Sequence, residues 1–151
     1  MLNPDFRDML SEFVSSEIEF LLVGAYALAA HGYPRATGDI DLWVRADAAT
    51  AIKVFDAITR FGAPLHDLTP EDFSRPGIVF QIGIAPIRID ILTSVDGIEF
   101  GEAWKNRITT EWDGLAIPVI GVRDLILNKR STGRTKDLAD AEQLERDLKP
   151  D

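Results

Sequence analysis

Apolar residues recur at helical spacing through Phe6, Met9 or Leu10, Phe13 and Val14, which predicts an amphipathic helix over residues 4–15. Asn3-Pro4-Asp5 supplies its start: a capping side chain, a proline at the first helical position and an acid in the first turn. The apolar run from Ile18 to Val23 then reads as a buried strand, and Gly24 permits a tight turn. Ala25 to Ala30 is small and helix-favouring, closed by His31-Gly32. Asp39 to Val44 is the second predicted strand, an antiparallel neighbour of the first. Ala48 to Phe61 follows as a helix with Ala48, Ile52, Phe55 and Ile58 on its apolar face, stopped by Gly62-Ala63-Pro64.

Leu65 to Gly77 carries Pro70, Pro76 and several acids with little periodicity, and is expected as a mobile loop with at most a short turn from Thr69 to Phe73. Ile78 to Ile82 and Ile87 to Leu92 read as a hairpin joined by residues 83–86. Phe100 to Lys105 reads as a short helix. Arg107 to Trp112 and Leu115 to Ile120 read as short strands around the turn dipeptide Asp113-Gly114. A helix opens at Gly121-Val122, runs to Arg130 or Ser131 and breaks at Gly133. The last helix, from Lys136 to Leu148, has Leu138, Ala141, Leu144 and Leu148 as its apolar stripe. No repeat or composition break marks a second domain. The expected architecture is α/β: one domain over residues 1–151, a mixed β-sheet flanked by helices, with the C-terminal helices of residues 121–149 packed on it.

Composition sharpens this only in places. At 151 residues the chain is long enough to bury a real core, and its 46% apolar content describes an ordinary globule. No run approaches the roughly 18 apolar residues of a membrane span. The acidic, amphipathic N-terminus lacks the pattern of a signal peptide, so a cytoplasmic location is expected. With no cysteine, disulfides and thiolate metal sites are excluded. The net charge of −9 argues against holding nucleic acid by an overall field. Lys129, Arg130, Arg134 and Lys136 form the one basic cluster, an ordinary solvated surface unless the fold places it at a site.

The chemistry concentrates between Leu21 and Val44. Side chains on a strand alternate faces, so Asp39 and Asp41 point one way while Ile40 and Leu42 enter the core. Two carboxylates at that spacing repel unless a cation lies between them, and a divalent metal is the natural candidate. Asp90 is a third acid, set among Ile87, Ile89, Ile91 and Leu92. Either Arg88, on the same face, neutralises it, or it joins Asp39 and Asp41 around hard, oxygen-preferring Mg²⁺ or Mn²⁺. A pair of such ions would serve phosphoryl transfer. The glycine turn at Gly24 presents backbone N–H groups suited to phosphate.

Gly24, the run Arg35-x-Thr37-x-Asp39-x-Asp41 and Asp90 in a later apolar strand together resemble the nucleotidyltransferase superfamily of DNA polymerase beta type. The resemblance is nearest to the small bacterial and archaeal branch of AbiEii-like toxins and minimal nucleotidyltransferases. Lys129 followed by Gly133-Arg134-x-Lys136-Asp137-x-x-Asp140 is similar to the lysine and Asp-x-x-Asp motifs of that branch. Four separated motifs in order span Leu21 to about Leu144.

The resemblance implies a metal-dependent transfer of a nucleoside monophosphate from an NTP to a hydroxyl of RNA, protein or a small molecule, with a toxin-antitoxin role. It implies that Gly24 and Ala25 hold nucleotide phosphates, that Asp39, Asp41 and Asp90 bind metal, and that Asp90 serves as base. Lys129 would contact the triphosphate, and Asp137 would orient Lys129 or the acceptor. Arg35 and Thr37 brace the Asp39 loop, with phosphate a further partner for Arg35. The family turn commonly reads Gly-Ser or Gly-Gly; Ala25 keeps the N–H but lacks the hydroxyl. The chain has no long helical extension, so a homodimer or partner protein would supply grip on an acceptor.

Two other readings stay open: a catalytically silent scaffold of the same fold, and a metal-dependent phosphohydrolase. His31 is expected to bond a backbone carbonyl, and His66 to be exposed. Trp43, Trp104 and Trp112 are expected as core or edge residues rather than base-stacking platforms.

Overall fold

The computed structural model describes residues 2–84 and 86–148. Along the chain run α1 (Pro4–Ser15), β1 (Phe20–Val23), α2 (Gly24–Ala30), β2 (Asp39–Val44), α3 (Ala48–Phe61), a 3-10 helix (Pro70–Ser74), β3 (Val79–Ile84) and β4 (Ile87–Leu92). They are followed by α4 (Phe100–Lys105), β5 (Ile108–Trp112), β6 (Leu115–Val119), α5 (Val122–Thr132) and α6 (Thr135–Asp147). The strands form one mixed sheet in the order β3-β4-β2-β1-β6-β5. β1 pairs antiparallel with β2 and parallel with β6, while β2 pairs parallel with β4. The predicted α/β class is the observed one. Ala85, in the connection of the β3–β4 hairpin, and Lys149, at the end of the predicted C-terminal unit, lie outside the described residues.

The sheet's two faces have different jobs. Phe20 pairs with Val44 and Leu22 with Leu42, so these side chains share a face with Ile40, Ile89 and Ile91. That face is packed by α1, whose Phe13 ring meets Phe20 edge-on at 5.3 Å. All the named strand residues are buried, which makes this the main apolar core. The other face carries Asp39, Asp41 and Trp43 from β2, and Arg88, Asp90 and Leu92 opposite them on β4. Trp43 is buried there against Phe100 of α4, ring centroids 5.1 Å apart, so its surface is closed to a nucleobase.

Four local departures from the sequence pattern have physical causes. β1 starts at Phe20 rather than Ile18, because Glu17 adopts φ 55° and closes α1 in a Schellman motif. Ile18 N–H there reaches back to the Phe13 carbonyl, 3.1 Å. A glutamate in the left-handed region carries no sequence signature.

On α3 the buried residues are Thr50, Ala51, Val54, Ala57 and Ile58, whereas Ile52 is 56% exposed. The alanine-bearing face wins because small side chains let α3 approach α1 closely. Residues 65–77 are not a free loop: Phe73 is fully buried, edge-on to Phe80 at 6.1 Å. Thr69 and Asp72 add a reciprocal capping box. On α6 the buried stripe is Asp137, Asp140, Ala141 and Leu144, with Leu138 only half-buried.

Gly38 fixes where β2 begins. Its carbonyl accepts Arg88 N–H at 2.8 Å, and a Cβ on it would stand 1.3 Å from the Pro86 carbonyl oxygen. Gly38→Ala is therefore expected to force β2 away from the β3–β4 hairpin and to destabilise by about 2 kcal/mol or more, measured by chemical denaturation. A variant within a few tenths of a kcal/mol of wild type would show that the close approach is easily relaxed.

Candidate active site

Parallel pairing of β2 with β4 sets Asp41 directly opposite Asp90, and Asp39 opposite Arg88. Arg88 grips Asp90 through both carboxylate oxygens, Nε to Oδ1 at 2.8 Å and Nη2 to Oδ2 at 3.0 Å. The same Nη2 reaches Asp39 Oδ2 at 3.2 Å. Of the two sequence readings of Asp90, ion pairing with Arg88 is thus present in the structure. Asp41 lies beside this pair without an arginine contact of its own among the described hydrogen bonds. Burial, reinforced by the charge and hydrogen bonding of Asp90 and by the charge of Asp39, pushes its carboxyl up to about 7.

Gly24 closes the other side. It has φ +69°, and a Cβ there would stand 2.2 Å from Asp41 Oδ2. Glycine is required both by the backbone conformation and by the carboxylate pressed against it. Thr37 Oγ1 accepts the Asp39 N–H at 3.1 Å, which braces the approach to β2.

Asp39 and Asp41 form one wall of a cleft of about 340 Å³, with Gly24, Ala25, Arg35 and Thr37. The opposite wall comes from the C-terminal helices: Asn128, Lys129, Arg134, Lys136, Asp137 and Asp140. Three of the four cluster cations, Lys129, Arg134 and Lys136, therefore line the cleft. Arg130 turns away to Glu145, 2.6 Å.

A buried ionic lattice holds this wall in place. Lys129 Nζ stands 3.3 Å from Asp137 Oδ1 and 3.1 Å from Asp140 Oδ2. Arg35 bonds Asp140 at 2.9 Å, and Arg134 bonds Asp137 at 2.7 Å. Burial alone would raise both acids; Thr132, Arg134 and Lys129 hold Asp137 below its ordinary range, and Arg35 and Lys129 do so for Asp140. Through Arg35 the lattice also ties α6 to the segment leading into β2.

Two solved structures share this fold over nearly its full length. TM1012 of Thermotoga maritima, provisionally named a nucleotidyltransferase, superposes with a TM-score of 0.60 at 17% identity, over 97% of this chain and 94% of that one. The lincosamide antibiotic adenylyltransferase LnuA, solved with lincomycin bound, superposes with a TM-score of 0.59 at 16% identity, over 96% of this chain and 97% of that one. The chain has a nucleotidyltransferase fold. No protein-family model and no curated protein matches the sequence.

Within this nucleotidyltransferase fold, Gly24, Ala25, Arg35, Thr37, Asp39, Asp41, Lys129 and Asp137 come together around one cleft, with Asp90 behind Asp41. His31 bonds the Ile120 carbonyl at 2.8 Å, and His66 is exposed. Sequence reasoning offered Arg88 only as a partner for Asp90 and assigned no role to Asp140, Arg134 or Lys136. The signal for Asp140 was its spacing three residues after Asp137 on one helical face. No helix among the described residues is long and apolar enough to cross a membrane.

As the side chains stand, no three acids or histidines among the described residues form a ready metal cage. Arg88 accounts for this by holding Asp39 and Asp90. The donor set nevertheless suits a hard divalent cation: three carboxylates on adjacent strands, one of them raised to about 7 by burial and by its acidic neighbours.

That shift has a measurable consequence. The folded protein holds the Asp41 proton to about pH 7, whereas a free aspartate releases it near 3.8. Stability of the metal-free protein from this group is therefore greatest at low pH, falls as pH rises from about 4 to 7, and is level above. Asp41→Asn is expected to flatten that slope and to leave the protein more stable at pH 8, by on the order of a few kcal/mol. Thermal melts from pH 4.5 to 8.5 in chelator check this, and an unchanged slope in Asp41→Asn would place the titration elsewhere.

Proposed function

We propose that the protein is a metal-dependent nucleotidyltransferase, moving a nucleoside monophosphate from an NTP to a hydroxyl acceptor. The observation that carries this reading is the register that sets Asp41 against Asp90, beside Asp39, on a wall of the cleft that faces Arg134 and Lys136. One wall suits cations and the other suits a polyanion. A metal triphosphate presents both.

Asp39, Asp41 and Asp90 are the residues that would hold Mg²⁺ or Mn²⁺, which when bound supplies Lewis-acid polarisation of the phosphoryl oxygens. Gly24 and Ala25 bring backbone close to the phosphates, and the cationic wall receives their charge. The acceptor oxygen attacks the α-phosphorus, the bond to the β-phosphate breaks, and pyrophosphate leaves. Asp90 would take the acceptor proton, a role that requires Arg88 to release its carboxylate oxygens. LnuA is named for adenylyl transfer to a lincosamide antibiotic, which favours a small-molecule hydroxyl as one acceptor class. RNA or protein acceptors would instead suit a toxin-antitoxin component.

A second reading, the same fold kept without transfer, draws support from Arg88, whose guanidinium occupies both oxygens of Asp90. Thermal shift with each NTP, with and without Mg²⁺, separates the two on wild type and Asp39→Asn. A nucleotide at about 100 times its Kd should add roughly 2.7 kcal/mol. A Mg²⁺-dependent shift lost in Asp39→Asn is the expected result, followed by pyrophosphate release once an acceptor is supplied. No shift with any NTP favours the silent scaffold.

A further inference from the structure

We infer that Lys136, and not Lys129, is the lysine that contacts the phosphates of a ligand in this cleft, and that Lys129 is committed to holding α5 against α6. The inference rests on the nucleotidyl-transfer reading of the cleft and assigns roles within it.

Lys129 is the residue the motif points to, yet its charge is already used. Its side chain is only 9% exposed, and both neighbouring carboxylates lie within 3.3 Å of Nζ. Swinging it toward a ligand would break both of its buried ion pairs and leave each acid with a single, more exposed arginine, a costly change. Arg35 and Arg134 are also paired, to Asp140 and Asp137. Two carboxylates thus share three cations. The lattice carries one net positive charge and ties α5, α6 and the segment before β2 together.

Lys136 differs in every respect. It lines the same cleft, is exposed, and among the described residues makes no ion pair or hydrogen bond. It also sits in the first turn of α6, immediately after Thr135, with Arg134 at the N-cap. A cation is disfavoured there because the helix presents the positive end of its dipole. Arg134 is offset by its pair with Asp137, which leaves Lys136 as the cation at that end with no carboxylate partner among the described residues. An anion in the neighbouring cleft, which Lys136 lines, would supply that partner.

Inorganic tripolyphosphate offers the anionic groups without a base, so it tests the assignment without knowledge of the preferred NTP. Titration calorimetry in Mg²⁺ on the full chain is expected to show Kd weakened about 10-fold or more in Lys136→Met, the size of one charge-assisted hydrogen bond. The melting temperature should stay at the wild-type value, and Lys136→Arg should recover most of the affinity. Lys129→Met should lower the melting temperature by several degrees while the folded protein keeps its affinity. If Lys129→Met does not fold, the double variant Lys129→Gln with Asp140→Asn removes the charge together with one partner, and it too should keep affinity.

Wild-type affinity in Lys136→Met, or a folded Lys129 variant that loses binding, overturns the assignment alone. A wild-type protein that binds neither tripolyphosphate nor any NTP overturns the nucleotidyl-transfer reading, and this inference with it.

Discussion

Asp41 is the point on which the site depends. Its carboxyl is confined by Gly24 on one side and Asp90 on the other, in a register fixed by two strand pairings. Burial there would normally select an apolar residue, because an ionised carboxylate loses its water and meets a second negative charge. The chain keeps the acid and accommodates it with a proton. Gly24 leaves room for the carboxylate where any side chain would collide, Gly38 lets β2 start flush against the hairpin, and Arg88 stabilises the neighbours without reaching Asp41 itself.

The facing wall solves the opposite problem. Helices α5 and α6 meet through a polar contact, with Lys129, Asp137 and Asp140 all buried between them. Apolar packing would be at least as stabilising, since buried ion pairs seldom repay their desolvation in full. What the lattice provides instead is position. Arg35, in the segment before β2, is bonded to Asp140, which links α6 to the Asp39 approach. The cleft's two walls come from distant parts of the sequence and are held in register by that link.

Much of this was legible from residue order. Helices α1 and α4, the β1–β2 pairing and the Asp113-Gly114 turn follow directly from periodicity and turn chemistry, and Asp39 and Asp41 share a face because strands alternate. The failures have a common origin in tertiary contact. Phe73 anchors a proline-rich stretch only because Phe80 and α3 are waiting for it. Ile52 lies outside because alanines pack closer. Arg88 and Asp90 were visible as neighbours on one face, but the reach of that arginine to Asp39 requires the parallel pairing of strands separated by about forty residues of chain. Glu17 could not be read as a helix terminator, since glycine usually marks that position.

The choice between a working site and a fold-only scaffold turns on costs that the fold itself does not recover. A sequence selected for stability alone tends to remove buried like charges and to place acids, not lysines, at helix N-termini. This chain keeps Asp41 against Asp90 on one wall and, in the first turn of α6 on the other, Lys136 without a carboxylate partner among the described residues. Each is unfavourable by itself. The two unfavourable features have opposite sign and face the same cleft, so one ligand bearing a divalent cation and several phosphates relieves both together. Arg88 moderates the acidic wall but leaves the Asp41 carboxyl raised to about 7. Under the proposed nucleotidyl transfer, opposite charges on facing walls are the arrangement that a metal polyphosphate would require.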